Sequence, residues 1–229
     1  MLDARTGAYT AVRPARTGLL RVGAVVPPGT ADLTALRVLL TADLLSRTAE
    51  LSGLQGLTVW VGASGVEAEA DELGIHPPAA SLADALDGPV DVLVTASGLG
   101  AAASAIPVRV GDAEADGYSD LLAVRLALMA SPYHQPVSFT SDSLASTRET
   151  VARWRRLVAR WAETPSRPIP PSAATALREA FADLDTPAVV ALLSELADDE
   201  DVPAGARFET FAFADRVLGL DLTGDIGRI

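Results

Sequence analysis

Short apolar runs alternating with helical or acidic stretches constrain this chain more than any other feature. "LLRVGAVV" (19–26), "LTVWVG" (57–62) and "VDVLVTAS" (90–97) each read as a buried strand, the first bounded by Gly18 and by Pro27, Pro28 and Gly29. Between the first two, over 32–51, Leu33, Leu36, Leu40, Leu44, Leu45 and Leu51 recur at three and four, which predicts a helix packed on one face. The acidic "GVEAEADELG" and the short helical "SLADALDG" separate the second run from the third. Strand and helix in turn predict a parallel sheet with crossover helices.

The texture changes over 98–117, "GLGAAASAIPVRVGDAEADG", to glycine, small residues and acids. Beyond it the periodicity is helical, over 118–131, 142–163, 172–182, 187–198 and 204–218, with the proline-rich "TPSRPIPPS" as a linker between helices. The helix at 187 is placed by Thr186 as N-cap, Pro187 in the first turn and Val189, Val190, Leu193 and Leu196 on one face. Gly219 stands where a helix C-terminus takes glycine. The fold class is therefore α/β: a small parallel-sheet domain over 1–111, then an α-helical bundle domain over 112–229.

Composition removes whole classes of chemistry. The chain has 229 residues, 49% of them hydrophobic and 21% charged, as a globular protein should. It has no cysteine, so thiolate nucleophiles, disulfides and cysteine-ligated zinc are excluded. All 18 basic residues are arginine, which excludes a P-loop lysine and a Schiff base. The net charge of −12 opposes nucleic-acid binding at large, and DNA is not expected as a partner. No apolar run approaches a membrane span, and the opening "MLDARTGAYTAVRPAR" lacks the apolar core of a secretory signal. The expectation is a cytoplasmic protein with no membrane partner.

In order along the chain, several segments resemble the cysteinyl-tRNA synthetases and the related cysteine ligases of mycothiol biosynthesis, class I adenylate-forming enzymes. "LDARTGAYTAVRPARTGLLRV" is similar to the family's opening hairpin, and "LLTADLLSRTAELSGLQGLTVWV" to the helix and strand after its first signature; "DELGIHPPA" resembles the segment that follows. "DLLAVRLALMASPYHQPVSFTSDSL", with Arg125, Tyr133, Pro136 and Phe139, resembles the passage from catalytic domain to bundle. "FADLDTPAVVALLSELA" and "FADRVLGLDL" are similar to the bundle itself. The resemblance implies a truncated Rossmann-like sheet and a helical bundle, since the chain is far shorter than an active member.

Three departures bear on activity. Where the family's His-x-Gly-His signature steadies ATP phosphates, this sequence has Asp32, Leu33, Thr34 and Ala35, and an aspartate beside a phosphate repels it. The second signature needs lysines, and "IPVRVGDAEADG" stands in its place as an acidic loop. The zinc that selects cysteine in the family needs a cysteine near "VGAVVPP", where Val25 or its neighbour stands. No catalytic residue is assigned, and neither zinc nor another cofactor is expected. What the resemblance leaves is a degenerate, non-catalytic binding or regulatory protein with a protein partner or a second copy of itself, because a cut sheet exposes an edge. Two alternatives stay open. One is a small-molecule ligase or nucleotide-binding enzyme that binds ATP through Thr30, Asp32, Thr34 and Arg37. The other is a tRNA-binding accessory protein using the arginine helix.

Each feature also has a plainer explanation. Asp32 serves equally as a simple N-cap. "GASG" and "SGLG" do not complete a dinucleotide fingerprint and read as loop glycines. His76 and His134 lack partners at catalytic or metal-ligand spacing and read as loop or packing residues. In "STRETVARWRRLVARWAE" and just before it, Leu144, Val151, Trp154, Val158 and Trp161 form an apolar seam. Arg148, Arg153, Arg155, Arg156 and Arg160 occupy the remainder, as an RNA face or as a solvated face paired with acids. "ADDEDVPAG" reads as a solvated acidic turn.

Overall fold

A computed structural model describes residues 1–27, 32–79, 90–96 and 105–228. Thr30, the helical reading of 81–88 and the "SGLG" turn lie outside the described residues. Contacts divide the chain into two compact units, Met1–Asp116 with Tyr133–Phe139, and Gly117–Pro132 with Thr140–Ile229.

The first unit opens with an antiparallel hairpin, β1 (Leu2–Asp3) and β2 (Ala8–Tyr9). Then come β3 (Leu19–Val25), α1 (Leu33–Leu51), β4 (Gln55–Val61), α2 (Glu67–Glu72), β5 (Val92–Thr95), β6 (Ile106–Arg109) and β7 (Ala113–Ala115). The strand order β4-β3-β5-β6 is parallel throughout, a Rossmann-like sheet, with Val22 beside Thr58 on one side and Val92 on the other. Chain order reverses direction across β3, and open α/β sheets place ligands above the strand C-termini at such a switch. Val22, Ala24, Val92, Val94 and Val108 are fully buried, and α1 lies against β3, β4 and β5.

Several sequence expectations change. The acidic loop expected over "IPVRVGDAEADG" contains two strands: β6 extends the sheet, and β7 pairs in parallel with β8 (Val137–Phe139). Both are only three or four residues long, too short for periodicity to show. The β7–β8 pairing also moves the domain division. The boundary expected after 111 falls after Asp116, and Tyr133–Phe139 returns to the first unit, since β8 makes its ladder there. The outer edge of β6 is partly covered from within, because the Ala4 N–H donates to the Pro107 carbonyl at 2.8 Å. Pro107 itself offers no donor to another strand.

The second unit comprises α3 (Leu121–Met129), α4 (Ser141–Trp161), α5 (Pro171–Asp183), α6 (Thr186–Asp198) and α7 (Ala204–Leu218). The seam expected on α4 is buried at Leu144, Val151, Trp154, Val158 and Trp161. Phe211 of α7 meets Trp154 and Trp161 edge-on, with ring centroids 5.6 and 5.3 Å apart. The N-cap of α6 is Asp185 rather than Thr186: its carboxylate accepts from the Ala188 N–H at 3.1 Å, and Thr186 is buried as the first helical residue. A carboxylate reaching an amide three residues on satisfies a free helix-end donor. Helix α5 ends on Leu184 in the left-handed region, φ 56°, with its side chain buried. Burying a leucine stabilises by about 1.5–3 kcal/mol, which offsets a left-handed cost of about 1–2. Gly219 ends α7 at φ 59°, where no Cβ resists.

A buried arginine and a half-buried aspartate hold the end of this unit. Arg125, fully buried on α3, donates from Nε to the Leu218 carbonyl at 2.5 Å. The Asp215 carboxylate accepts from the N–H groups of Leu220 and Leu222 at 2.7 and 2.8 Å, folding the chain back after α7. Burial pushes the Asp215 carboxyl above its ordinary value, against the pull of those N–H groups and of Arg125. Because the folded state then holds this proton more tightly than the unfolded chain, the Asp215 contribution to stability rises as pH falls through the raised value toward 3.8. Asp215→Asn lacks that contribution. In urea unfolding from pH 7 to 4, the stability of the native chain relative to this variant is expected to increase with acidification; a pH-independent or opposite difference would refute the assignment.

Candidate functional site

Asp32, Thr34 and Arg37, three of the four residues expected to line a nucleotide pocket, sit at the start of α1, and the structure gives them other partners. Asp32 is exposed and caps the helix, one carboxylate oxygen accepting from Thr34 N–H at 2.9 Å and Ala35 N–H at 3.2 Å. Free amides at a helix start are what an anion binds. Here a carboxylate occupies two of them and brings its own negative charge.

Thr34 and Arg37 lie one turn apart on the face of α1 that turns away from the sheet. The Thr34 hydroxyl donates to the Ala113 carbonyl at 3.1 Å and accepts from the Ala113 N–H at 3.0 Å, bonding β7 as a neighbouring strand would. The Arg37 guanidinium donates from Nη1 to the carbonyls of Gln135 (2.6 Å), Gly111 (3.1 Å) and Asp112 (3.3 Å). It therefore ties together the two chain segments that form β7 and β8. Desolvation lowers the Arg37 pKa to about 10, while Asp112 pulls it back up, so the charge persists at neutral pH. Gly111 permits this crossing of chains, since a Cβ there would collide with the Gln135 carbonyl.

The helix expected to be packed on one face is thus buried continuously from Leu33 to Ser46. Its apolar side meets β3, β4 and β5, and β7 covers the other. A guanidinium given to three backbone carbonyls and a hydroxyl bonded in both directions supply structural closure.

A second polar cluster on α1 has no counterpart among the sequence expectations. Asp43, 1% exposed at its side chain, accepts from Arg47 Nε at 2.8 Å and lies 3.2 Å from His76 Nδ1; the His76 N–H adds a bond at 3.3 Å. Arg47 also donates to the Gly74 carbonyl at 2.8 Å. The cluster fastens the turn after α2 to α1, with His76 an exposed loop residue beside buried Asp43. The signal available in the sequence is an Asp and an Arg four apart inside an otherwise apolar helix. Among the described residues, no group of three or more His, Cys, Asp or Glu is placed to hold a metal.

The five arginines of the expected RNA face do not form one site. Arg155 bonds Asp225 at 2.9 Å and Asp221 at 3.2 Å, and Arg153 pairs with Asp198. Arg148 lines a separate hollow of about 360 Å³ with Tyr118, Ser119, Asp120 and Ser141. Arg156 and Arg160 are exposed, with no ion pair among the described residues. Arg160 lines a groove of about 460 Å³ that runs from Arg153 and Leu157 on α4 to Asp198, Glu200 and Arg207, and Arg156 lies on the adjoining wall. Arg207 rests its guanidinium 4.7 Å above the Trp161 ring, a cation–π contact. Asp198 and Glu200 thus form one rim of this groove.

Thr34→Val keeps the shape of the side chain but strands both backbone groups of Ala113 in a buried setting. It is expected to lower unfolding stability by about 2–4 kcal/mol, while Thr34→Ser, which keeps both bonds, costs under about 1.5 kcal/mol. Equal losses in chemical denaturation would refute the two-way bond.

Neither protein-family models nor curated proteins give a match to this chain, so its function is argued from the chemistry of these residues.

Proposed function

We propose that this chain is a non-catalytic binding protein, built on a class I synthetase-like scaffold from which adenylate chemistry has been lost. The observation that carries the reading is the engagement of Thr34 and Arg37 with the backbone of Gly111, Asp112, Ala113 and Gln135. Adenylate formation needs donors aimed at charge that develops on phosphate oxygens in the transition state. At the start of α1 the charged group that faces solvent is Asp32, and the chain contains no lysine to swing in from elsewhere. The ligase alternative would have to break a buried guanidinium from three carbonyls before it could touch a nucleotide.

The tRNA alternative draws on Arg148, Arg156 and Arg160, which are exposed without ion pairs among the described residues. Against it stand the acids at the groove rim and the overall charge of −12, since RNA affinity depends on neutralising many phosphates together.

Calorimetric titration with Mg·ATP and a cysteine-dependent pyrophosphate-exchange assay test the main reading. Neither heat nor exchange above a protein-free control is expected. Saturable exchange that disappears in Arg37→Met, with the variant shown to be folded by circular dichroism, would overturn it.

A further inference from the structure

We propose that the groove between α4 and the acidic turn after α6 is closed by a second copy of this chain, docked about a twofold axis. Arg156 and Arg160 stand exposed on α4 without an ion pair among the described residues, in a chain with 30 acidic and 18 basic side chains. Across the groove Glu200 is exposed, as is Asp201 next to it in the chain, and neither makes an ion pair among the described residues. The Arg153–Asp198 pair already bridges the two walls, so charges of opposite sign lie side by side on one patch.

That juxtaposition selects the occupant. In a twofold interface the same patch faces itself, so it must carry both members of each reciprocal contact. This patch does: Arg156 and Arg160 of one copy face Glu200 and Asp201 of the other, and the reverse pairs form at once. Leu157, half-buried between the arginines, provides an apolar floor at the centre. A polyanion would meet Glu163, Asp198 and Glu200 along the same path, and an acidic partner would use only the arginine wall. A second copy uses both walls. Exposed ion pairs are individually weak and screened by salt, so the dimer is salt-sensitive.

Self-association gives the binding reading its partner and rests on that reading. Size-exclusion chromatography with light scattering on the full chain tests it. At low ionic strength the native protein is expected at twice its monomer mass, shifting toward monomer at ~0.5 M salt, where the screening length is only a few ångströms. Arg156→Glu with Arg160→Glu is expected to run as a monomer, as is Glu200→Arg with Asp201→Arg. Mixed in equal amounts, the two variants should regain the dimer mass, because each then carries a single sign at positions 156, 160, 200 and 201, opposite to that of the other. All four positions are exposed, and thermal unfolding followed by circular dichroism checks that the variants remain folded.

A native protein that stays monomeric, a dimer untouched by either reversal, or a mixture that fails to reassociate would each overturn the proposal. So would a monomer whose tRNA gel shift is abolished by the arginine reversal, which would assign the face to RNA. A monomer inert toward ATP removes the dimer and leaves the binding reading; a dimer that performs cysteine-dependent exchange removes the binding reading by itself.

Discussion

Every structural feature around α1 follows from covering a helix on two opposite sides. The sheet takes its leucine face, where Leu36 and Leu39 are fully buried, and burial of each such side chain is worth about 1.5–3 kcal/mol. Its other side carries Thr34, Arg37 and Thr41, which cannot be shut away from water unless their polar atoms find partners. The backbone of 111–113 and of Gln135 supplies those partners for Thr34 and Arg37, and Thr41 returns its hydroxyl to the Arg37 carbonyl at 2.8 Å. β7 and β8 are held where they are because polar side chains on one helical stripe need them there, and because Gly111 lets two backbones cross.

The same constraint decides what the site can do. A Rossmann-like sheet offers a ligand position above its strand ends, and a helix beginning there offers amides and a dipole. In this protein Asp32 caps those amides and the nearest guanidinium points into the interior. At the start of α1 the polar groups serve the fold. The helical unit distributes its charges in a similar way: Arg125 and Asp215 hold backbone, and Arg155 holds the turn after α7 through Asp221 and Asp225. Arg156 and Arg160 do neither among the described residues and lie beside the groove.

Much of the framework is legible in the order of residues alone. Long periodic segments such as the α4 seam specify themselves, because five large apolar side chains at helical spacing have one way to be buried together. The three strands β3, β4 and β5 are legible for the same reason, in period two or as unbroken apolar runs. β6, β7 and β8 are not, since three or four residues of mixed polarity carry no periodicity and acquire their conformation from the ladders they join. The acidic 67–72 segment becomes a helix only against α1, where Ala70 is buried, and its acidic face gives no apolar stripe to detect.

The site shows the same division more sharply. Asp32 as an N-cap is legible because capping is local, a matter of one side chain and amides two and three residues on. Thr34 and Arg37 can be identified as polar residues on a buried helix, and the absence of lysine and cysteine already limits their chemistry. Which way they are used depends on segments 74 to 98 residues distant along the chain, Gly111 to Gln135, for which neither spacing nor composition gives a signal. Sequence by itself determined the sheet-and-helix framework and the chemistry the chain cannot perform, because periodicity and residue inventory are properties of the chain alone. Tertiary structure decided whether a hydroxyl and a guanidinium would meet a ligand or a backbone, because a polar group's role is set by whichever partner arrives to satisfy it.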